Sequence, residues 1–225
     1  MYKIVLLDLD DTIFDFKSGE RNALKETFNN FNLDFTDDAY NEFSKLNEYY
    51  FQEYAKGNMT REEFHFNRFD KILKYLMVEN NPVIINKYYM DSLSMQCEYV
   101  PGAYELILEL SKNYILCIAS NGKYDVQVNR LKKANIFELF DKVYVSSKIG
   151  YNKPSKEFFD YIFNDYKNYN KNEFVVIGDR LDSDVLGGIN SGIDTIWFNR
   201  NNKVSDIKPK YSFKTLDEIR QKMAK

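Results

Sequence analysis

Four groups of polar residues, spread along the whole chain, carry side chains that could act together on a phosphate. Asp8-Leu9-Asp10-Asp11-Thr12 follow the apolar run Ile4-Val5-Leu6-Leu7, and Ser120-Asn121-Gly122 follow Tyr114-Ile115-Leu116-Cys117-Ile118-Ala119. Lys153-Pro154 stand a short loop after a third run, and Gly178-Asp179-Arg180-Leu181-Asp182-Ser183-Asp184 follow a fourth. Carboxylates such as Asp8 and Asp179 bind a hard cation, while the Ser120 hydroxyl, the Lys153 ammonium and nearby backbone N–H groups can hold phosphate oxygens. Carboxylates alone would repel a phosphate. Magnesium between the two removes that conflict, and its charge keeps Asp8 ionised as a nucleophile.

These groups act together only if the fold places them together. Short apolar runs at 3–7, 114–119, 142–145, 174–177 and 194–198 are too short for helices, and several are rich in Val and Ile, so they read as buried strands. Helical patterns at 103–112, 126–134, 155–166 and 184–191 lie between them. That alternation implies right-handed crossovers and a doubly wound α/β core with a parallel sheet, whose ligands bind beyond the carboxyl ends of the strands. The four polar groups then share one crevice.

From about residue 17 to residue 97 the alternation stops. Helical periodicity at 19–31, 37–56, 61–77 and 83–96, punctuated by Gly57-Asn58 and Asn80-Asn81-Pro82, reads as a helical insert after the first strand. The expected division is therefore a core of 1–16 with 98–225 and a helical insert of 17–97. Pro101 or Gly102 begins the next helix, and residues 211–213 add an edge strand before a helix at 216–223.

The composition narrows the class. Among 225 residues, 44% are hydrophobic and no apolar run is long enough to span a bilayer, so a soluble globular protein without a membrane partner is expected. No export signal follows Met1, which points to a cytoplasmic protein. With 31 basic against 34 acidic residues and a net charge of -3, a nucleic-acid polymer is a poor partner and a small metabolite a better one. Cys117 lies inside an apolar run, so Cys97 and Cys117 read as free thiols. The single histidine, His65, excludes a histidine triad or a multi-histidine zinc centre, and is read as a surface residue of the insert.

The four groups, in this order, resemble the haloacid dehalogenase superfamily of phosphatases: Asp8 to Thr12 match its first motif, Ser120-Asn121-Gly122 its second, Lys153-Pro154 its third, and Gly178-Asp179 with Asp184 its fourth. The insert lies where that family carries its helical cap. More narrowly, Val145-Ser146 through Gly150, Asp184 through Gly192, and the segment from Leu46-Asn47 to Asn67-Arg68-Phe69 are similar to the branch of pyrimidine-type 5'-nucleotidases. Ser147 and Lys148 depart from that pattern, where relatives often carry two acidic residues, and so does Arg180, where a small polar residue is common.

The resemblance implies roles. Asp8 attacks phosphorus; Asp10 protonates the leaving alkoxide and then deprotonates the water; Ser120 and Lys153 hold and neutralise the transferring group; Asn121 and Gly122 bind or orient it. The implied cofactor is Mg2+, with Asp8, Asp10, Asp179 and Asp184 as the metal set, Asp179 in direct contact and Asp184 behind it or reached through water. Phe14 and Arg68 are the expected substrate contacts, and the substrate a small phosphorylated metabolite, by resemblance a nucleoside 5'-monophosphate with a pyrimidine preferred. The aromatic series Tyr49, Tyr50, Phe51 and Tyr54 is expected to be core. Three alternatives stay open: a sugar-phosphate phosphatase, a phosphotransferase or mutase on the same scaffold, and a phosphorylated switch or binding protein. Asp10 argues against a dehalogenase.

Overall fold

A computed structural model describes residues 1–224. Six strands, β1 (Ile4–Leu7), β2 (Ile115–Ser120), β3 (Lys142–Val145), β4 (Phe174–Gly178), β5 (Asp194–Phe198) and β6 (Tyr211–Phe213), form one parallel sheet in the order β3-β2-β1-β4-β5-β6. β1 is central, with Ile4 in register with both Ile115 and Phe174. Because the strands are parallel, their carboxyl ends share one edge, and the direction of winding switches beside β1.

The helices are α1 (Phe16–Asn30), α2 (Asp37–Ala55), α3 (Arg61–Tyr75), α4 (Pro82–Leu93), α5 (Ala103–Leu110), α6 (Tyr124–Lys133), α7 (Ser146–Ile149), α8 (Lys156–Asp165), α9 (Leu186–Ser191) and α10 (Leu216–Met223). The chain divides into two compact units, Met1–Phe16 with Cys97–Lys225, and Lys17–Gln96. The division places Cys97 with the sheet unit, where its side chain packs against the core around the sheet, and not with the insert as the sequence suggests.

In the sheet unit both faces are covered, as strands with uninterrupted apolar runs require. Val5, Leu7, Leu116, Ile118, Val175 and Ile177 face a cluster with α5 and α10 residues such as Leu106, Ile107 and Ile219. Their neighbours Ile4, Leu6, Cys117, Ala119 and Val176 point the other way, onto Phe158, Phe159 and Ile162 of α8. The chain leaves the sheet through a five-residue π turn, Leu181–Val185, that delays α9 to Leu186; the periodicity alone starts that helix two residues early, at Asp184. Gly102, with φ 83°, caps α5 in a left-handed conformation that Pro101 could not adopt.

The second unit is all helical. Thr36 caps α2, Thr60 and Glu63 form a reciprocal cap on α3, and Asn81 with Pro82 starts α4. Its interior is aromatic: Phe43, Phe69 and Tyr89 meet with ring centroids 5.1–5.4 Å apart. The series expected as core lies mainly at the margin, with Tyr49 exposed and Tyr50, Phe51 and Tyr54 half-buried. No helix of the described residues is long and apolar enough to cross a membrane, and both cysteines are free.

Candidate active site

At the carboxyl end of β1 the ladder runs one residue further, with Asp8 N–H donating to Ile177 at 2.9 Å, and the chain then turns sharply. Asp11 holds φ 58°, its backbone N–H donates to the Phe14 carbonyl, and Ile13 and Phe14 both donate back to Leu9. This turn presents Asp8, Asp10 and Thr12. Asp11 is turn chemistry: its carboxylate accepts from the Phe16 N–H at 3.2 Å and from Arg200 at 2.9 Å.

Lys153 is 2% exposed, and its ammonium donates to Asp8 Oδ1 at 2.8 Å, to Asp184 Oδ1 at 2.5 Å and to the Ala119 carbonyl. All three of its protons are thereby engaged. The lysine is held from behind by Asn121, whose carboxamide accepts from the Lys153 N–H at 2.8 Å and donates to the Lys153 carbonyl at 2.9 Å. The Asn121 side chain, expected at the phosphate, is therefore committed to the loop that carries Lys153.

Asp184 is 1% exposed; its second oxygen accepts the Arg180 N–H at 3.0 Å. Gly178 is glycine for this reason, since a Cβ there would run into the Asp184 carboxylate. Asp179 lies beside it, near Thr12 Oγ1 at 3.4 Å, with its carbonyl fixed by the Trp197 indole N–H at 2.9 Å. Arg180 places its guanidinium on Asp182 at 3.0–3.1 Å.

One carboxylate oxygen from each of Asp8, Asp179 and Asp184 lies within 4.8 Å of the others. Burial, then Asp184, pushes the Asp8 carboxyl up against the downward pull of Lys153, and burial with Asp8 and Asp184 pushes Asp179 well up. Burial works against the Lys153 charge, but Asp184 and Asp8 outweigh it and the net direction is up. Three carboxylates against one ammonium leave an excess of negative charge in a dry place. The donor set, all hard oxygens with too little positive charge among them, fits a magnesium ion.

Asp10 stands apart from that cluster. Arg130 donates to its Oδ1 and Gln127 Nε2 to its Oδ2 at 2.7 Å, so its side chain, included in the expected metal set, is directed at α6 instead. Gln127 Nε2 also donates to Ser120 Oγ at 3.0 Å, and Arg130 to Gln127 Oε1 at 3.0 Å. Gly122 N–H donates to the same Ser120 oxygen at 3.1 Å. Ser120 thus accepts twice, and its own hydrogen is left for a further acceptor.

Neither Gln127 nor Arg130 is picked out by the sequence reading. Both are buried, at 2% and 1%, and the signal was there: Gln127, Arg130 and Leu131 occupy i, i+3 and i+4, the buried stripe of α6. Ser147 and Lys148 secure the start of that helix. Ser147 Oγ accepts the Tyr124 N–H at 2.9 Å, and Lys148 sits 4.2 Å from the Tyr124 ring centroid.

Two expected substrate contacts are corrected. Phe14 is fully buried, 5.4 Å from the Tyr99 ring and 4.9 Å below the Arg130 guanidinium, because its backbone turns inward to close on Leu9. Arg68 is 3% exposed inside the helical unit, donating to Asn47 and Asn86 at 2.7 Å and packed among the rings of Phe64 and Tyr89 at 4.7 and 4.9 Å. Asn47 in turn donates to buried Glu20 at 2.7 Å. Burial pulls the Arg68 guanidinium down to about 10, against Tyr89 and Glu20, so it stays charged at neutral pH. His65, expected on the surface, is half-buried beside it, with Nδ1 accepting from Arg68 at 3.0 Å.

With a Rossmann-like sheet and an acidic cluster at its carboxyl edge, the chain belongs to the haloacid dehalogenase-like hydrolases, which it matches over residues 5–198. It is 33% identical to the HAD-hydrolase YfnB of Bacillus subtilis over 97% of this chain and 94% of that protein. A crystal structure of YfnB bound to magnesium superposes with a TM-score of 0.93, covering 100% of this chain and 99% of that one at 32% identity. The chain is also 28% identical to pyrimidine 5'-nucleotidase YjjG of Escherichia coli, over 98% of this chain and 97% of that protein. Glyceraldehyde 3-phosphate phosphatase of Pyrococcus furiosus is 30% identical, over 87% of this chain and 80% of its own length.

Proposed function

We propose that the chain is a magnesium-dependent phosphomonoester hydrolase working through an aspartyl phosphate on Asp8, with nucleoside 5'-monophosphates, pyrimidines preferred, as substrates. The observation that carries the reading is the convergence of Asp8, Lys153, Asp179 and Asp184 at the end of the central strand, buried and short of positive charge.

Asp8, Asp179 and Asp184 would hold the metal, which supplies positive charge against the phosphate oxygens and the attacking carboxylate. An Asp8 oxygen attacks phosphorus and the bond from phosphorus to the leaving oxygen breaks. The leaving oxygen takes its electron pair and a proton from the Asp10 carboxyl. Asp10 then takes a proton from water as the water oxygen attacks phosphorus, and the phosphorus–Asp8 bond breaks to return the carboxylate. Such acid-base help is worth about 10²–10⁴ in rate. Lys153 holds Asp8 in line and offsets charge, and Ser120 offers its free hydrogen to a phosphate oxygen.

The likeness to YjjG over nearly the whole chain supports the nucleotide. The likeness to glyceraldehyde 3-phosphate phosphatase favours a second reading, a small sugar phosphate. Comparing kcat/KM for uridine, thymidine and purine monophosphates with that for glyceraldehyde 3-phosphate and glucose 6-phosphate decides between them. Phosphate release without an added acceptor separates hydrolysis from phosphoryl transfer to a sugar.

A further inference from the structure

The metal and nucleophile cluster leaves out a second buried group, on α6, where Gln127 and Arg130 both meet Asp10. Arg130 is 1% exposed with its guanidinium over the Phe14 ring, and burying such a charge is costly without a matched partner. Its partner is Asp10, whose other oxygen is held by Gln127. The same Gln127 nitrogen reaches Ser120. One carboxamide therefore spans the distance between the Asp10 carboxylate and the Ser120 hydroxyl, and Arg130 braces that carboxamide through its oxygen.

Gly122 completes the arrangement. A Cβ at that position would come within 2.9 Å of the Gln127 amide carbon, so any larger residue displaces Gln127 from both of its acceptors. This is a separate reason for glycine from the turn it occupies. At the head of the same helix, Ser147 and Lys148 hold Tyr124, which fixes the axis along which Gln127 and Arg130 project.

From this geometry we infer that Gln127 and Arg130 are positioning residues for Asp10, setting the carboxyl that serves the leaving group at a fixed distance from the hydroxyl that holds the phosphate. The inference rests on Asp10 being the proton donor proposed above. Gln127 and Arg130 touch neither phosphorus nor leaving group; they act through Asp10 and Ser120. Proton transfer falls off steeply with misplacement, whereas phosphoryl transfer to Asp8 from an ester that needs no proton does not depend on Asp10.

The test compares two esters in magnesium: 4-nitrophenyl phosphate, whose leaving group departs unprotonated, and an alkyl ester, uridine 5'-monophosphate or glyceraldehyde 3-phosphate, whichever the wild-type protein cleaves faster. kcat/KM is the readout because it reports only the steps up to aspartyl-phosphate formation. Gln127→Leu is expected to lose about 10-fold or more on the alkyl ester and no more than about 3-fold on 4-nitrophenyl phosphate. Arg130→Lys, which keeps the charge, is expected to fall between wild type and Gln127→Leu. In an Asp10→Asn background, Gln127→Leu is expected to add nothing further on the alkyl ester. Equal losses on both esters, or losses that multiply with Asp10→Asn, overturn the positioning role while leaving the phosphatase reading intact. Failure of the wild-type protein to cleave either ester overturns both.

Discussion

Lys153 shows how tightly the site is built. With its three protons on Asp8, Asp184 and the Ala119 carbonyl, it sets one ammonium among the three carboxylates of the cluster. Replacing it by Met leaves two buried carboxylates uncompensated, a loss of about 3–5 kcal/mol in urea denaturation, and added magnesium is expected to restore part of it. The raised Asp8 and Asp179 carboxyls set a pH dependence. A carboxyl raised in the folded state contributes stability that is fully present below its unfolded value, near about 4, and is lost as pH rises through the folded value. In chelator, these two groups are therefore expected to make the protein less stable toward pH 8. The increase in Tm caused by magnesium should grow over the same interval as the metal replaces protons; an increment independent of pH would remove these carboxylates from the metal site. Asp179→Ala should raise the magnesium requirement for turnover more than Asp184→Ala, whose side chain is committed to Lys153 and the Arg180 N–H. Asp8, Asp10, Ser120 and Asp179 are read in the sequence because each stands at or just beyond an apolar run, and Lys153 and Asp184 because they lie in the loops that follow such runs. Gln127 and Arg130 are legible only as members of the buried stripe of α6, because beside Asn129, Lys132 and Lys133 a glutamine and an arginine otherwise read as solvated.

Among the elements, the strands are the most legible. Four of the six, β1, β2, β4 and β5, have both faces buried, so continuous apolar runs mark them within a residue or so, whereas helix ends depend on local caps. The π turn at Leu181–Val185 illustrates the difficulty: it shifts the start of α9, yet it is what folds Asp184 back toward the Arg180 N–H and Lys153. The clamp between Asn121 and the Lys153 backbone joins two loops far apart in sequence, and no local pattern announces it. Asn121→Ala removes both bonds and leaves a buried N–H and carbonyl unsatisfied. It is expected to cost about 2–4 kcal/mol and to lower kcat as Lys153 loosens, with measured stability and turnover falling together. Loss of turnover at unchanged stability would instead place the Asn121 side chain on the substrate.

At the scale of the whole molecule, the two units rest on different interiors: around the sheet, aliphatic strand residues meet both aliphatic and aromatic side chains, while the helical unit packs aromatic rings around Arg68. The break in alternation marks their boundary to within a residue, but burial of Arg68 is invisible in sequence, because an arginine beside Asn67 on an amphipathic helix looks like a surface contact. Arg68→Ala is expected to destabilise the helical unit by about 2–5 kcal/mol, since the charge, its hydrogen bonds and its ring contacts go together. Trp197, the single tryptophan, lies in β5 and reports the sheet unit, while circular dichroism reports both. The variant should therefore shift the dichroism transition more than the tryptophan transition, with KM little changed; a large rise in KM at unchanged stability would return Arg68 to the substrate. The central claim, that Asp8 carries the phosphoryl group, is tested most directly by rapid quenching during turnover in magnesium, borohydride reduction of the acyl phosphate, and peptide mass spectrometry. The account predicts homoserine at position 8 in the wild-type protein and none in Asp8→Asn; rapid turnover with position 8 unmodified, or a label on another residue, would contradict it.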